Sequence, residues 1–311
     1  MMRRIDPREA AEYYLGHFRP DVNKYDRGRV FVIAGSRGMS GAAILSARAA
    51  MRAGGGLVYS VLPAGLLPVV AAALPEALKC PVGESGSAHF TAGDAKRLKE
   101  LARRADAVVL GPGLGRDEST LTLARELLAD PEFAPEAMAL VLDADGLYAF
   151  KERAAELKAA AALRRGRIVL TPHEGEAAAL LGIAAAEVKA RREECVRALA
   201  ELLDGGVAVL KGRETLTSYA GARGTEVFVN TTGNPGLATG GSGDVLAGMI
   251  AGLTASDRAR EGNCQPLANI VNYGAALHGL AGDMLSVRHG ERYLTAADII
   301  EGLGDIRNYA G

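Results

Sequence analysis

The sequence predicts an α/β fold: a mostly parallel central sheet with helices on both faces and an antiparallel hairpin at one edge. Three observations carry that prediction. Short apolar, β-branched runs alternate with Ala-rich stretches of helical character, the pattern of parallel strands covered by helices. Past residue 210, two strand-like runs flank the segment GARG, which suits a hairpin turn. A run with five glycines in residues 231–244 then leads directly into an apolar helical stretch.

In chain order, the strands are expected at residues 30–34, 57–62, 107–110, 139–142, 167–170 and 207–210, each a short run rich in Val, Ile and Leu. The hairpin follows, with strands at 215–220 and 226–230 and its turn at 221–224. Helices are expected at 245–253, 268–286 and 296–303, the last opened by Thr295 and Asp298 in capping-box spacing. The charged stretch 189–194 fits the solvated face of a helix whose apolar positions are Val188, Val196 and Leu199. No repeat, low-complexity linker or shift in composition divides the chain, so residues 29–311 are expected to form one domain behind an N-terminal extension, 1–28.

Composition narrows the function. With 49% apolar and 23% charged residues, the 311-residue chain belongs with folded globular proteins. A formal net charge of −1 and the lack of a basic stripe argue against nucleic acid as a partner. Three cysteines, Cys80, Cys195 and Cys264, have neither zinc-site nor disulfide-framework spacing, which fits a reducing cytoplasm. The N-terminus lacks a signal-peptide apolar core. The most apolar stretch, 62–78, is interrupted by Pro63, Pro68, Pro75 and Glu76, so no membrane span is expected.

The glycine run reads TTGNPGLATGGSGD and ends at Asp244. So much glycine is costly in chain entropy unless bare backbone is needed. A helix start offers free N–H groups and the positive end of its dipole, and Gly240, Gly241 and Gly243 would let a phosphate approach it. A carboxylate beside bound phosphate is repelled unless it has a use, and a catalytic base is such a use. The alternative is that Asp244 only complements the helix dipole. No G-x-x-x-x-G-K-[ST] occurs, which excludes a P-loop. The early loop Gly35-Ser-Arg-Gly38-Met-Ser-Gly41 has the wrong spacing for a dinucleotide fingerprint, and no ribose-binding acid follows the next strand.

Taken in order, several segments resemble the ADP-dependent NAD(P)H-hydrate dehydratases, a carbohydrate-kinase-like family with the ribokinase-like fold. They are VIAGSRGMSGAAILSARAAMRAGGGLV, VVLGPGLG, LDAD, TPHEGEAAALLG, VLKG and GNPGLATGGSGDVLAGMIAGL, spanning residues 29–304. The resemblance implies a hydro-lyase that repairs a damaged cofactor: hydrated NADH or NADPH plus ADP gives NADH or NADPH, AMP and phosphate, with Mg²⁺ as cofactor and ADP as co-substrate. It implies that Asp244 is the catalytic base and that Ala42, Gly113, Gly115 and His173 contact the substrate together with Asp244. Lys211, Gly212, Arg213, Glu214, Thr215 and Gly243 would receive the nucleotide, Lys211 through phosphate and Thr215 by a hydrogen bond.

Glu176 is either a water-mediated Mg²⁺ contact or a first-turn helix acid; the protein ligands of the metal stay unknown. Tyr148 departs from the pattern, standing where relatives commonly have asparagine. The family further implies a homo-oligomer. With 28 residues before Arg29 the chain is expected to rely on a separate NAD(P)H-hydrate epimerase. Two other readings share the glycine run: a kinase for a hydroxymethylpyrimidine or thiazole alcohol, and a nucleotide sensor without catalysis. The early GSRGMSGAA loop and TPHEGE weigh against the first, and the intact Asp244 against the second.

Overall fold

A computed structural model describes residues 2–221, 224–262 and 264–310. They form a ten-stranded sheet: β1 (Arg3–Arg4), β2 (Arg29–Ile33), β3 (Leu57–Pro63), β4 (Leu78–Val82), β5 (Ala107–Leu110), β6 (Ala139–Leu142), β7 (Ile168–Leu170), β8 (Val207–Leu210), β9 (Leu216–Gly221) and β10 (Gly224–Val229). Their spatial order is β1-β10-β9-β8-β7-β6-β5-β2-β3-β4. From β4 across to β8 every neighbouring pair is parallel. β9 runs antiparallel to β8, and β10 antiparallel to β9.

The strands form where expected because they are buried on both faces and rich in branched side chains. Along β2, Val30 and Val32 enter the core on one side of the sheet, Phe31 and Ile33 the core on the other, as a period of two requires. The expected hairpin is β9–β10, with Gly221 opposite Gly224; Ala222 and Arg223 of its turn lie outside the described residues. Two strands were not foreseen. β4 is an outer strand with sequence LKCPV, broken by a proline and partly exposed. β1 is two exposed arginines paired parallel to β10, beyond the hairpin. After β1, the helix Pro7–Leu15 packs on the long helix Leu267–His289.

The charged stretch 189–194 is not one continuous helical face. Helices Ala185–Ala190 and Arg192–Glu201 meet at Arg191, whose φ of −130° and ψ of 47° break the ladder. Val188, Val196 and Leu199 are all buried, so an apolar spacing that looks continuous spans two helices. No described helix is long and apolar enough to cross a membrane.

Candidate active site at the carboxyl edge of the sheet

The loops that follow β2, β5, β6, β7 and β8 leave the same edge of the parallel sheet, the edge where open α/β sheets hold ligands. They carry Gly35, Gly111 to Gly115, Asp143, His173 and Lys211. Facing them is the start of the helix Ser242–Ser256, fed by the glycine run. A cavity of about 1490 Å³ opens there, lined among others by Asp143, His173, Glu176, the whole segment 211–215, Gly243, Asp244 and His278.

The start of that helix is organised by the glycines, partly for a reason the sequence did not reveal. Gly241 is the N-cap with φ of 89°, a left-handed conformation that glycine adopts without steric cost. A side chain on Gly243 would come 3.0 Å from the Lys211 ammonium, so this glycine makes room for a side chain of the protein itself. In the first turn, the N–H groups of Gly243 and Asp244 have no acceptor among the described residues, the donors a phosphate needs.

Asp244 is the third residue of the helix. Burial pushes its carboxyl up, to about 7; Asp143, Asp145 and Glu176 add to the rise and Lys211 opposes it. An acid tuned to this range is suited to accept a proton near neutral pH. The helix dipole alone would lower a first-turn carboxyl, so burial and the neighbouring acids outweigh it here.

Lys211 is not free on its loop. Its side chain is 18% exposed, and its Nζ lies 2.8 Å from Asp143 Oδ1 and 3.8 Å from Glu176 Oε2. Burial lowers its pKa, but Asp143 and Glu176 outweigh that and hold it raised and charged. Asp143 is itself fixed by Thr171, whose hydroxyl donates across 2.7 Å. The result is a buried ammonium inside a ring of carboxylates, with a net negative charge that Asp244 feels.

His173 caps the helix Glu174–Leu181. Its Nδ1 accepts from the N–H groups of Gly175 (3.0 Å) and Glu176 (3.2 Å), while Glu176 Oε2 accepts from the His173 N–H at 2.8 Å. The cap assigns the ring proton to Nε2, which lies 3.5 Å from Glu176 Oε1. Glu176 is therefore a first-turn acid, and its burial raises its pKa. The described residues contain no group of three or more His, Cys, Asp or Glu side chains placed to hold a metal ion.

Ala42, Gly113 and Gly115 form a second group beyond the lining of the large cavity. A Cβ on Gly113 would come 2.9 Å from that of Ala42, and the Gly115 N–H donates to Asp145 Oδ2 at 2.9 Å. Asp145 also pairs with Arg116 at 3.0 Å, and that guanidinium lies 4.1 Å from the Tyr148 ring centroid. Asp145 is also one of the acids that raise the Asp244 pKa. Thr215 turns its hydroxyl onto its own loop, donating to the Gly212 carbonyl at 3.3 Å.

Asp143, Arg192 and His278 were not singled out from sequence. Asp143 sat in plain view in LDAD, and a buried acid at a strand end is a readable signal. His278 is far from the run it supports: its Nε2 lies 3.0 Å from the Ser242 carbonyl oxygen, and burial lowers its pKa to about 4, keeping the ring neutral.

Fold and site together define an α/β protein of ribokinase-like architecture. A ribokinase-like superfamily protein from Enterococcus faecalis V583 superposes with a TM-score of 0.77 at 27% identity, covering 99% of this chain and 96% of that one. The chain belongs to the NAD(P)H-hydrate dehydratase family, whose model matches residues 30–304. It is 35% identical over 280 residues to the ADP-dependent (S)-NAD(P)H-hydrate dehydratase of Xanthomonas campestris pv. campestris, covering 90% of this chain and 88% of that protein. It is 37% identical over 274 residues to the bifunctional NAD(P)H-hydrate repair enzyme Nnr of Moorella thermoacetica, covering 88% of this chain but 48% of that protein; the chain spans about half the length of such bifunctional relatives. The ADP/ATP-dependent NAD(P)H-hydrate dehydratase of Bacillus subtilis, co-crystallised with ATP/Mg²⁺, superposes with a TM-score of 0.75 at 25% identity, covering 100% of this chain and 99% of that one.

Proposed function

We propose that this chain removes water from the hydrated nicotinamide ring of NADH or NADPH at the expense of ADP, with Asp244 as the catalytic base. The observation that carries the reading is an acid held near neutral pKa at the start of a helix with free N–H groups, facing the large cavity. Family membership supports it.

In this reaction, Asp244 takes the proton of the ring hydroxyl as that oxygen attacks the terminal phosphorus of ADP. The bond from that phosphorus to the bridging oxygen breaks and AMP leaves. The phosphate is now a good leaving group. The ring nitrogen's lone pair expels it with the C–O electrons, and loss of a proton from the neighbouring carbon restores the double bond of NAD(P)H. The amides of Gly243 and Asp244 are oriented for the phosphoryl group in transfer. Segment 211–215 receives the nucleotide, and Ala42, Gly113, Gly115 and His173 hold the hydrate. Mg²⁺ would come with ADP, held by its phosphates and water. A homo-oligomer, a cytoplasmic location and a separate epimerase for the other hydrate stereoisomer belong to the same proposal.

The test mixes protein, hydrated NADH, Mg²⁺ and ADP and follows the return of reduced-nicotinamide absorbance; no return with ADP or ATP sinks the reading. Asp244→Asn should lower turnover about 10²- to 10⁴-fold, the range for loss of a positioned acid or base, while ADP still binds. A near-normal rate would return Asp244 to a helix-capping role.

A further inference from the structure

Segment 211–215 lines the cavity with little bonding of its own. Within it the Thr215 hydroxyl reaches the Gly212 carbonyl, and at its ends Lys211 N–H donates to Pro172 and Asn230 N–H to the Thr215 carbonyl. Gly212 and Glu214 both have left-handed φ, 151° and 57°. Such a loop needs an outside brace, and it has one in Arg192, from the charged stretch whose role the sequence did not show.

The Arg192 guanidinium donates through Nη2 to the carbonyls of Leu210 and Glu214, both at 3.2 Å, and through Nη1 to that of Lys211 at 3.4 Å. Nη1 also pairs with Glu174 at 2.5 Å, and the Arg192 side chain is only 19% exposed. A side chain on Gly212 would come 2.5 Å from Nη1, so the guanidinium packs directly against bare backbone. Glu174 follows His173 and opens the helix that also bears Glu176. One cation thus ties the loop to the helix start that closes the ammonium–carboxylate ring.

In a trans peptide the N–H points opposite to the carbonyl. Turning the Lys211 and Glu214 carbonyls toward Arg192 therefore turns the N–H groups of Gly212 and Thr215 away from it, and neither has an acceptor among the described residues. We propose that Arg192 is a positioning residue that presents the Gly212 and Thr215 amides to the phosphates of the nucleotide. This rests on the reading of segment 211–215 as the nucleotide loop. A planar fork with fixed donors can hold three carbonyls at once; a single ammonium cannot.

The experiment compares wild type, Arg192→Ala and Arg192→Lys by calorimetric ADP and ATP binding, thermal unfolding, and KM for ADP and hydrated NADH separately. Arg192→Ala should raise the Kd and KM for ADP about tenfold and leave the KM for hydrate within about twofold. Arg192→Lys keeps the charge beside Glu174, so it should fold with a near-normal Tm yet still bind ADP roughly threefold or more weakly; this variant decides the matter if the alanine variant does not fold. Wild-type ADP affinity in a folded variant overturns the proposal, and so does an equal loss for ADP and hydrate, which marks a purely structural role. Tight ADP binding by a wild-type protein that leaves hydrate unchanged overturns the dehydratase reading alone. A wild type that binds neither nucleotide overturns both.

Discussion

A carboxyl raised to about 7 by burial and by its acidic neighbours makes two demands on behaviour. As a base, Asp244 works only when ionised, so kcat/KM should fall about tenfold per pH unit below roughly pH 7 and level off above it. Removing the like charge in Asp143→Asn should move that acid limb to lower pH, because Asp143 raises the Asp244 pKa and no longer competes for Lys211; an unmoved limb in the rate profile would assign it to another group. For stability the sign is opposite to the usual carboxylate. The folded pKa exceeds the unfolded value of 3.8, so the folded state binds the extra proton and stability is lost as pH rises from about 4 through 7. Asp244→Asn should therefore be more stable than wild type at pH 8, by up to about 4 kcal/mol for a rise from 3.8 to about 7, with the gap shrinking at pH 5. Urea unfolding at the two pH values checks this. Asp244 was legible in the sequence because its glycine run is dense and local. Asp143 was readable as an acid at a strand end, though its pairing with Lys211 across 68 residues was not, and Arg192 and His278 gave no local signal because their meaning lies in contacts spanning 22 and 36 residues of chain.

At the scale of elements, the helix bearing Asp244 lies against the helix Ser40–Arg52, which bears Ala42, at a distance set by two small residues. A side chain on Gly248 would come 2.1 Å from the Ser46 carbonyl oxygen, and one on Gly252 would come 2.3 Å from that of Ala50. Gly248→Ala must push the helices apart, with a cost of about 1–3 kcal/mol or more. Because that seam sets where Ala42 stands relative to the base, turnover of hydrate should fall with it, while ADP affinity at segment 211–215 changes little. Calorimetry of unfolding and of ADP binding separates the two effects, and an unaltered Tm would show that the seam yields. Elements that bury both faces, β5, β6 and β8 among them, were read from sequence to the residue because unbroken Val, Leu and Ala leave no other use for them. β4 and β1 escaped because their pairing partners, not their side chains, make them strands.

For the molecule as a whole, the segment before Arg29 is a brace on the wall of the cavity. β1 extends the sheet beside β10. The following helix buries Ala10 and Ala11 beside Ile5 and sets Tyr13 against Tyr273, ring centroids 4.8 Å apart. Glu9 accepts from the Tyr273 hydroxyl at 2.5 Å, and Tyr13 donates to Asp257 at 2.9 Å. Tyr273 and His278 share the helix Leu267–His289, so the N-terminal helix and the start of the catalytic helix are held by one element. Deleting residues 2–16 removes Ile5, Ala10, Ala11 and Tyr13 from the core and uncovers Tyr273 and the helix face beneath them, a loss on the order of 4 kcal/mol, which in a chain of this size lowers Tm by roughly 10 °C. It also leaves the helix with one face uncovered, so His278 should hold Ser242 less firmly and amide exchange at residues 242–246 should quicken before global unfolding. Scanning calorimetry and hydrogen exchange on the shortened chain measure both. A wild-type Tm with unchanged exchange at those amides would mean that the 267–289 helix stands without its N-terminal cover.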